Sequence, residues 1–89
     1  MTFNQEQFDA IALTAKSYGA TRLILFGSAL NTPETARDID LACDGVSGWK
    51  LYELAARLEE EINFPLDLVP LTPANRFTRM IERRGKQLI

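Results

Sequence analysis

Leu25-Phe26-Gly27-Ser28, then nine residues from Ala29 to Arg37, then Asp38-Ile39-Asp40-Leu41: this stretch decides how the whole 89-residue chain is read. It has the form of an apolar strand end, a Gly-Ser turn, a polar loop and a second strand carrying two aspartates. Side chains on a strand alternate with a period of two. Asp38 and Asp40 therefore project from one face, and Ile39 and Leu41 from the other. Two carboxylates on neighbouring same-face positions repel each other. A hard cation, which takes oxygen ligands, is the natural partner for such a pair.

Working outward, Arg22 to Phe26 is a short apolar run suited to a strand covered on both faces, and Gly27 permits a sharp turn. Upstream, Phe8, Ile11, Ala12, Ala15 and Tyr18 recur at helical spacing and predict a helix over 4–18. Asn4 with Gln7 forms a potential capping box, and Gly19 suits the helix end. Downstream, the second strand is predicted over 38–43 and is closed by Asp44-Gly45. A helix over 48–62 follows, with Leu51, Leu54, Ala55, Leu58 and Ile62 as its apolar face and Ser47 as its cap. Leu66 to Val69 reads as a third strand, with Leu66 and Leu68 on one face and Asp67 and Val69 on the other; Pro70 places it at an edge. Thr72-Pro73 has the form of a helix start. The helix it predicts carries an apolar stripe (Phe77, Met80, Ile81) and a basic one (Arg76, Arg79, Arg83), ends at Gly85 and leaves 86–89 to run extended. The pattern predicts an α/β domain spanning 1–89: a small mixed sheet of three to four strands packed by helices.

Composition narrows the function. Ten basic against twelve acidic residues give a net charge of −2, which argues against a protein that coats nucleic acid by charge. Five of the ten basic residues (Arg76, Arg79, Arg83, Arg84, Lys86) nevertheless fall in the last fourteen positions; of these, Arg76, Arg79 and Arg83 read as a solvated helix face, or as a patch for an acidic partner or nucleic acid. The absence of histidine excludes His-based triads and His-ligated zinc within the chain. The one cysteine, Cys43, shares the face of Ile39 and Leu41 and fits a small core residue in a reducing compartment. With no signal pattern and no apolar run near the length of a membrane span, the expectation is a cytoplasmic protein. Trp49, near a helix start, suits either an interface anchor or partial burial.

If the three strands are neighbours, Asp38, Asp40 and Asp67 meet beside the Gly27-Ser28 turn. Mg²⁺ takes one or two carboxylates together with substrate phosphates, and a two-metal site clamps the attacking and leaving oxygens of an in-line displacement. Exposed N–H groups after Gly27, with the Ser28 hydroxyl, suit terminal phosphates. Elementary chemistry thus points to Mg²⁺-dependent phosphoryl or nucleotidyl transfer.

The pattern Phe-Gly-Ser, nine residues, Asp-Ile-Asp-Leu resembles the signature of the polymerase-β-like nucleotidyltransferase superfamily, and within it the minimal nucleotidyltransferases (MNT) that partner HEPN proteins. The similarity extends to the first helix, to Leu66-Asp67-Leu68-Val69 and to Ile81-Glu82-Arg83-Arg84-Gly85. It implies the superfamily's catalytic-core fold, with Gly27 and Ser28 binding a triphosphate and Asp38 and Asp40 holding two Mg²⁺ ions. Asp67 would complete the metal site and act as base towards an acceptor hydroxyl. It further implies ATP as substrate, a helical HEPN-like toxin as partner, and transfer of AMP to a tyrosine of that partner by an antitoxin; a second copy of the chain stays open as an additional partner, and nucleic acid and membrane are not expected. The chain departs from the pattern where Ala29-Leu30-Asn31 replaces a run containing Ala-Arg-Gly, and where Arg37 replaces a serine before the first aspartate. The alternative is an antitoxin of the same fold, weakened as a catalyst, that acts as a protein-binding module. A small-molecule transferase ranks third, because its acceptor pocket would need additional protein.

Overall fold

Asn4 opens the first helix through reciprocal bonds: its side chain accepts from the Gln7 N–H at 2.9 Å, and its own N–H donates to Gln7 Oε1 at 2.9 Å. The computed structural model describes residues 3–89. The helix is α1 (Gln5–Ser17), followed by β1 (Arg22–Phe26), a short α2 (Ser28–Asn31), a single 3-10 turn (Pro33–Thr35), β2 (Ile39–Asp44), α3 (Trp49–Ile62), β3 (Leu66–Pro70), α4 (Arg76–Arg84) and β4 (Lys86–Gln87). The strands form one sheet in the order β3-β2-β1-β4. β1 runs antiparallel to both β2 and β4, and β2 runs parallel to β3. The mixed sheet and its helical cover match the expected fold class, and the short fourth strand forms at 86–87.

Strand alternation sorts the apolar side chains into two layers. Leu23 and Leu25 of β1, Ile39, Leu41 and Cys43 of β2, and Leu66 of β3 face one side, where Ile11 and Ala15 of α1 and Leu54 and Leu58 of α3 close over them. Each fully buried Leu or Ile contributes about 1.5–3 kcal/mol relative to exposure, so this layer supplies most of the apolar stabilisation. Ile24 and Ala42 point the other way, under Ile81 of α4 and Leu71, with Phe26, Val69 and Met80 at the margin. A single helix covers this second face. The uncovered remainder is where polar side chains project from the sheet.

Gly85 lets α4 run straight into the sheet. A Cβ there would collide with the Ile24 side chain and sit 2.9 Å from the Leu25 carbonyl oxygen, so no larger residue fits between helix and strand. β4 then pairs Lys86 with Leu25 and Gln87 with Ile24.

Four boundaries differ from expectation. β2 starts at Ile39, whose N–H donates to the Pro65 carbonyl at 2.9 Å, so Asp38 lies in the bend just before the strand. β2 also extends through Asp44, whose carbonyl accepts from the Thr21 N–H at 2.8 Å. α3 is capped by Gly48 with no side-chain bond, not by Ser47. α4 begins three residues beyond Thr72-Pro73: Asn75 and Thr78 form its capping box, each side chain bonding the other's backbone N–H at 2.8–2.9 Å. The Thr72 hydroxyl instead donates to Asp44 Oδ1 at 2.8 Å. Among the described residues no helix is long and apolar enough to cross a membrane.

Candidate active site

Antiparallel pairing of β1 with β2, and parallel pairing of β2 with β3, brings three strand ends together. The C-terminal end of β1 meets the N-terminal ends of β2 and β3. In register, Phe26 lies opposite Asp40, and Asp40 lies opposite Asp67. Neighbouring strands are about 4.8 Å apart, so Asp40 stands between an aromatic ring and a second carboxylate on the half-covered face. Asp38 precedes it by two residues. Asp38 and Asp40 are half-buried; Asp67, on the edge strand, is exposed.

Gly27 joins this cluster by a direct approach. It sits at φ 75° and ψ −153°, a conformation that disfavours any side chain, and a Cβ there would lie 2.5 Å from Asp40 Oδ2. The Asp40 carboxylate therefore packs against the Cα of the turn, and glycine is required twice over. After the turn, α2 starts with no side-chain cap. Its carbonyl acceptors begin with Gly27, which takes the N–H groups of Leu30 and Asn31 at 3.1 Å, and the Asn31 side-chain amide at 3.1 Å as a brace. The N–H groups of Ser28 and Ala29 are left without a backbone carbonyl among the described residues.

The electrostatics of β2 differ between its two ends. Asp44 is compensated. Thr72 donates to it first, Arg22 reaches it at 3.3 Å, and the Gly45 N–H donates at 3.1 Å, which together hold its carboxyl below the ordinary aspartate range. Arg22 also bonds Glu82 of α4 at 3.1 Å and ties the helix to the sheet at that end. Asp40 has the opposite surroundings. Burial, then the charge of Asp38, then that of Asp67 push its carboxyl above the ordinary range, and among the described residues no salt bridge offsets them. Such an arrangement has the chemistry of a hard-cation site that is completed from outside. Among the described residues no three acidic, thiol or imidazole side chains form a ready-made metal cage. Asp38, Asp40 and Asp67 therefore do not by themselves make a three-carboxylate cage; a hard cation there would need further oxygen ligands, and Mg²⁺ ordinarily takes one or two carboxylates with phosphates and water. Cys43 is no part of the site: it is buried in the larger layer, and burial, with Asp44 second, pushes its thiol up to about 11.

One feature of this face was not legible in the sequence. α4 stands beside α2 and leaves a cleft of about 520 Å³ that runs from Gly27 past Leu30 to Phe77, Met80 and Arg84. Phe26 and Phe77 meet edge to face across it, with centroids 5.7 Å apart. The spacing of Phe77, Met80 and Arg84 (i, i+3, i+7) places them on one flank of α4, and that spacing was the available signal. The basic stripe of Arg76, Arg79 and Arg83 lies on a separate, exposed flank. Trp49 is 75% and Tyr52 78% exposed, so burial does not account for Trp49.

No protein-family profile matches the sequence, and no curated protein matches it. Solved structures do. A variant of the MntA toxin–antitoxin complex superposes with a TM-score of 0.79 at 22% identity, over 92% of this chain and 72% of that one. A toxin–antitoxin complex with AMP-PNP gives 0.78 at 24% identity, over 98% and 73%. The tri-AMPylated Shewanella oneidensis HEPN toxin in complex with MNT antitoxin gives 0.74 at 24% identity, over 96% and 71%. The fold is thus that of the minimal nucleotidyltransferases, as the resemblance implied.

Proposed function

We propose that this chain is a Mg²⁺-dependent nucleotidyltransferase that moves AMP from ATP to a hydroxyl of a helical HEPN-type partner, a tyrosine being the acceptor, and so acts as an antitoxin. The observation that carries this reading is the Asp40 carboxylate. It is held against the Gly27 turn, crowded by Asp38 and Asp67, and forms no salt bridge among the described residues. Support also comes from the similar structures, one holding an AMPylated toxin and one AMP-PNP.

In this mechanism the free N–H groups of Ser28 and Ala29, with the Ser28 hydroxyl, bind the phosphates and orient the chain of phosphoryl groups away from the turn. Asp38 and Asp40 would hold magnesium, with Asp67 completing the set. Bound there, the metal would neutralise charge on the phosphoryl oxygens and align the attacking and leaving oxygens. Asp67 stands exposed at the sheet edge, where an acceptor from another protein can reach it. Its carboxylate takes the proton of the acceptor hydroxyl. The new bond joins that oxygen to the α-phosphorus, the α–β anhydride bond breaks, and pyrophosphate leaves with the bonding electrons.

The competing reading, a binding module that masks its partner without chemistry, is favoured by two features. α2 offers no basic side chain, since Ala29-Leu30-Asn31 follows the turn. Trp49 and Tyr52, moreover, form an exposed aromatic pair of the type that anchors interfaces. ATP labelled at the α- or at the γ-phosphate separates the readings. Transfer of the α-label alone to the partner, dependent on Mg²⁺ and on Asp40, is the expected result. Stable complex formation and neutralisation without either label would contradict the enzymatic reading.

A further inference from the structure

A nucleoside triphosphate brings several negative charges to a face that already holds Asp38, Asp40 and Asp67. Magnesium held by these carboxylates would offset part of that charge, and a cationic side chain beside the outer phosphates would add charge-assisted hydrogen bonds. The nearest helix cannot provide one: α2 consists of Ser28, Ala29, Leu30 and Asn31, and the Asn31 amide is committed to the Gly27 carbonyl. Arg37, in the loop before β2, does not line the cleft beside Gly27. The charged side chain that does line this cleft is Arg84, from the last residue of α4. Among the described residues it forms no ion pair; both salt bridges there belong to Arg22, at the other end of β1. Its position is fixed by its neighbour, because Gly85 is wedged against Ile24 and Leu25 of β1, close to where that strand enters the Gly27 turn. One and two turns up the same flank, Met80 and Phe77 give the cleft an apolar wall, with Phe26 behind and Leu30 across. A volume of about 520 Å³ is within the usual range for a small-molecule site.

Resting on the transferase reading, we propose that the cleft between α2 and α4 seats the nucleotide, with Arg84 carrying the charge of its outer phosphates and Phe77 forming the wall for its base. Arginine suits the task because its fork of donors matches phosphate oxygens two at a time. The helix that closes the second face of the sheet is then also part of the substrate site.

Calorimetric titration with ATP and Mg²⁺, with tripolyphosphate, and with adenosine tests the assignment. Arg84→Ala is expected to weaken ATP and tripolyphosphate by about 30-fold, the size of one hydrogen bond to a charged group, and to leave adenosine unchanged. Arg84→Lys restores part of the loss, and Arg83→Ala, on the exposed flank, has no effect. Phe77→Ala shows the converse pattern, weakening ATP and adenosine but not tripolyphosphate. Equal ATP affinity in wild type and Arg84→Ala overturns the proposal, as does a parallel loss of adenosine, which would mark a merely structural residue. Wild-type protein that binds no ATP refutes this assignment and the transferase reading together. Binding that depends on Arg84 without any transfer refutes the transferase reading alone.

Discussion

Gly27→Ala is the substitution whose cost the structure specifies most closely. Two penalties act at one Cβ. The backbone sits at φ 75° and ψ −153°, and a non-glycine residue held in such a region costs about 1–3 kcal/mol. The new methyl would also lie 2.5 Å from Asp40 Oδ2, where ordinary contact begins near 3.4 Å. The carboxylate must retreat by about 1 Å, which turns the side chain off its rotamer at about 0.5–1.5 kcal/mol. The sum, about 2–4 kcal/mol, is a large part of the ~5–10 kcal/mol available to a domain of this size, and corresponds to a fall in Tm of about 10–25 °C. The two penalties separate in a double-mutant cycle read by thermal and urea unfolding. In an Asp40→Ala background the carboxylate is gone, and Asp40 Cβ lies at a tolerable 3.4 Å. Gly27→Ala should then cost only its backbone part, giving a coupling of about 0.5–1.5 kcal/mol between the sites. Costs that add within measurement error, or a Gly27→Ala protein as stable as wild type, would refute the close packing of the turn on Asp40 and with it the geometry of the site.

Further tests address charge and capping. Asp40→Asn, in metal-free buffer at neutral pH, should raise Tm by ~2–5 °C, a shift discounted for partial solvent screening; in a separate assay with Mg²⁺ it should remove transfer. Because the folded carboxyl titrates above its unfolded value, the wild type's advantage is present at low pH and is lost as pH rises through the folded pKa; the Asn variant lacks that decline. Asp44 has the opposite sign: its folded pKa is depressed, so its contribution is present above the unfolded value and disappears as pH falls through the folded one. Asp44→Ala should therefore cost ~1 kcal/mol at pH 7, discounted for its exposure, and less in acid, as unfolding midpoints across pH 3–7 will show. Asn75→Ala removes the cap of α4 and should lower stability by about 1 kcal/mol, whereas Ser47→Ala, outside any cap, should leave urea unfolding unchanged.

The elements legible in the sequence are those whose signal is local. Asn4 and Gln7 sit three residues apart before a helical apolar stripe, and their reciprocal bonds form as expected. The alternation in Ile39-Asp40-Leu41 fixes which face each side chain takes whatever the sheet's topology, and Asp40 duly lies off the main core. What lay beyond reach depends on non-local partners. Ile39 opens β2 because the Pro65 carbonyl is there to accept, a contact that no window of sequence contains. Thr72 has the chemistry of a cap but is drawn to Asp44, 28 residues away, and the cap passes to Asn75, whose pairing with Thr78 is itself a readable pattern. The register that sets Asp67 beside Asp40 comes from β3 pairing with β2. Arg84 read as one charge in a basic tail. It becomes part of a cleft only because Gly85 brings the end of α4 against β1.

The central claim is that Asp38, Asp40 and Asp67 serve the transfer of AMP to a partner protein. Its most direct test is the intact mass of a helical HEPN-type protein after incubation with the chain, ATP and Mg²⁺, with Asp38→Asn/Asp40→Asn in parallel. Adenylyl-sized mass increments are expected on the partner with wild type, lost on chelation and absent with the variant. Increments that persist undiminished in the variant, or a partner whose mass stays unchanged in a stable complex with wild type, would contradict the claim.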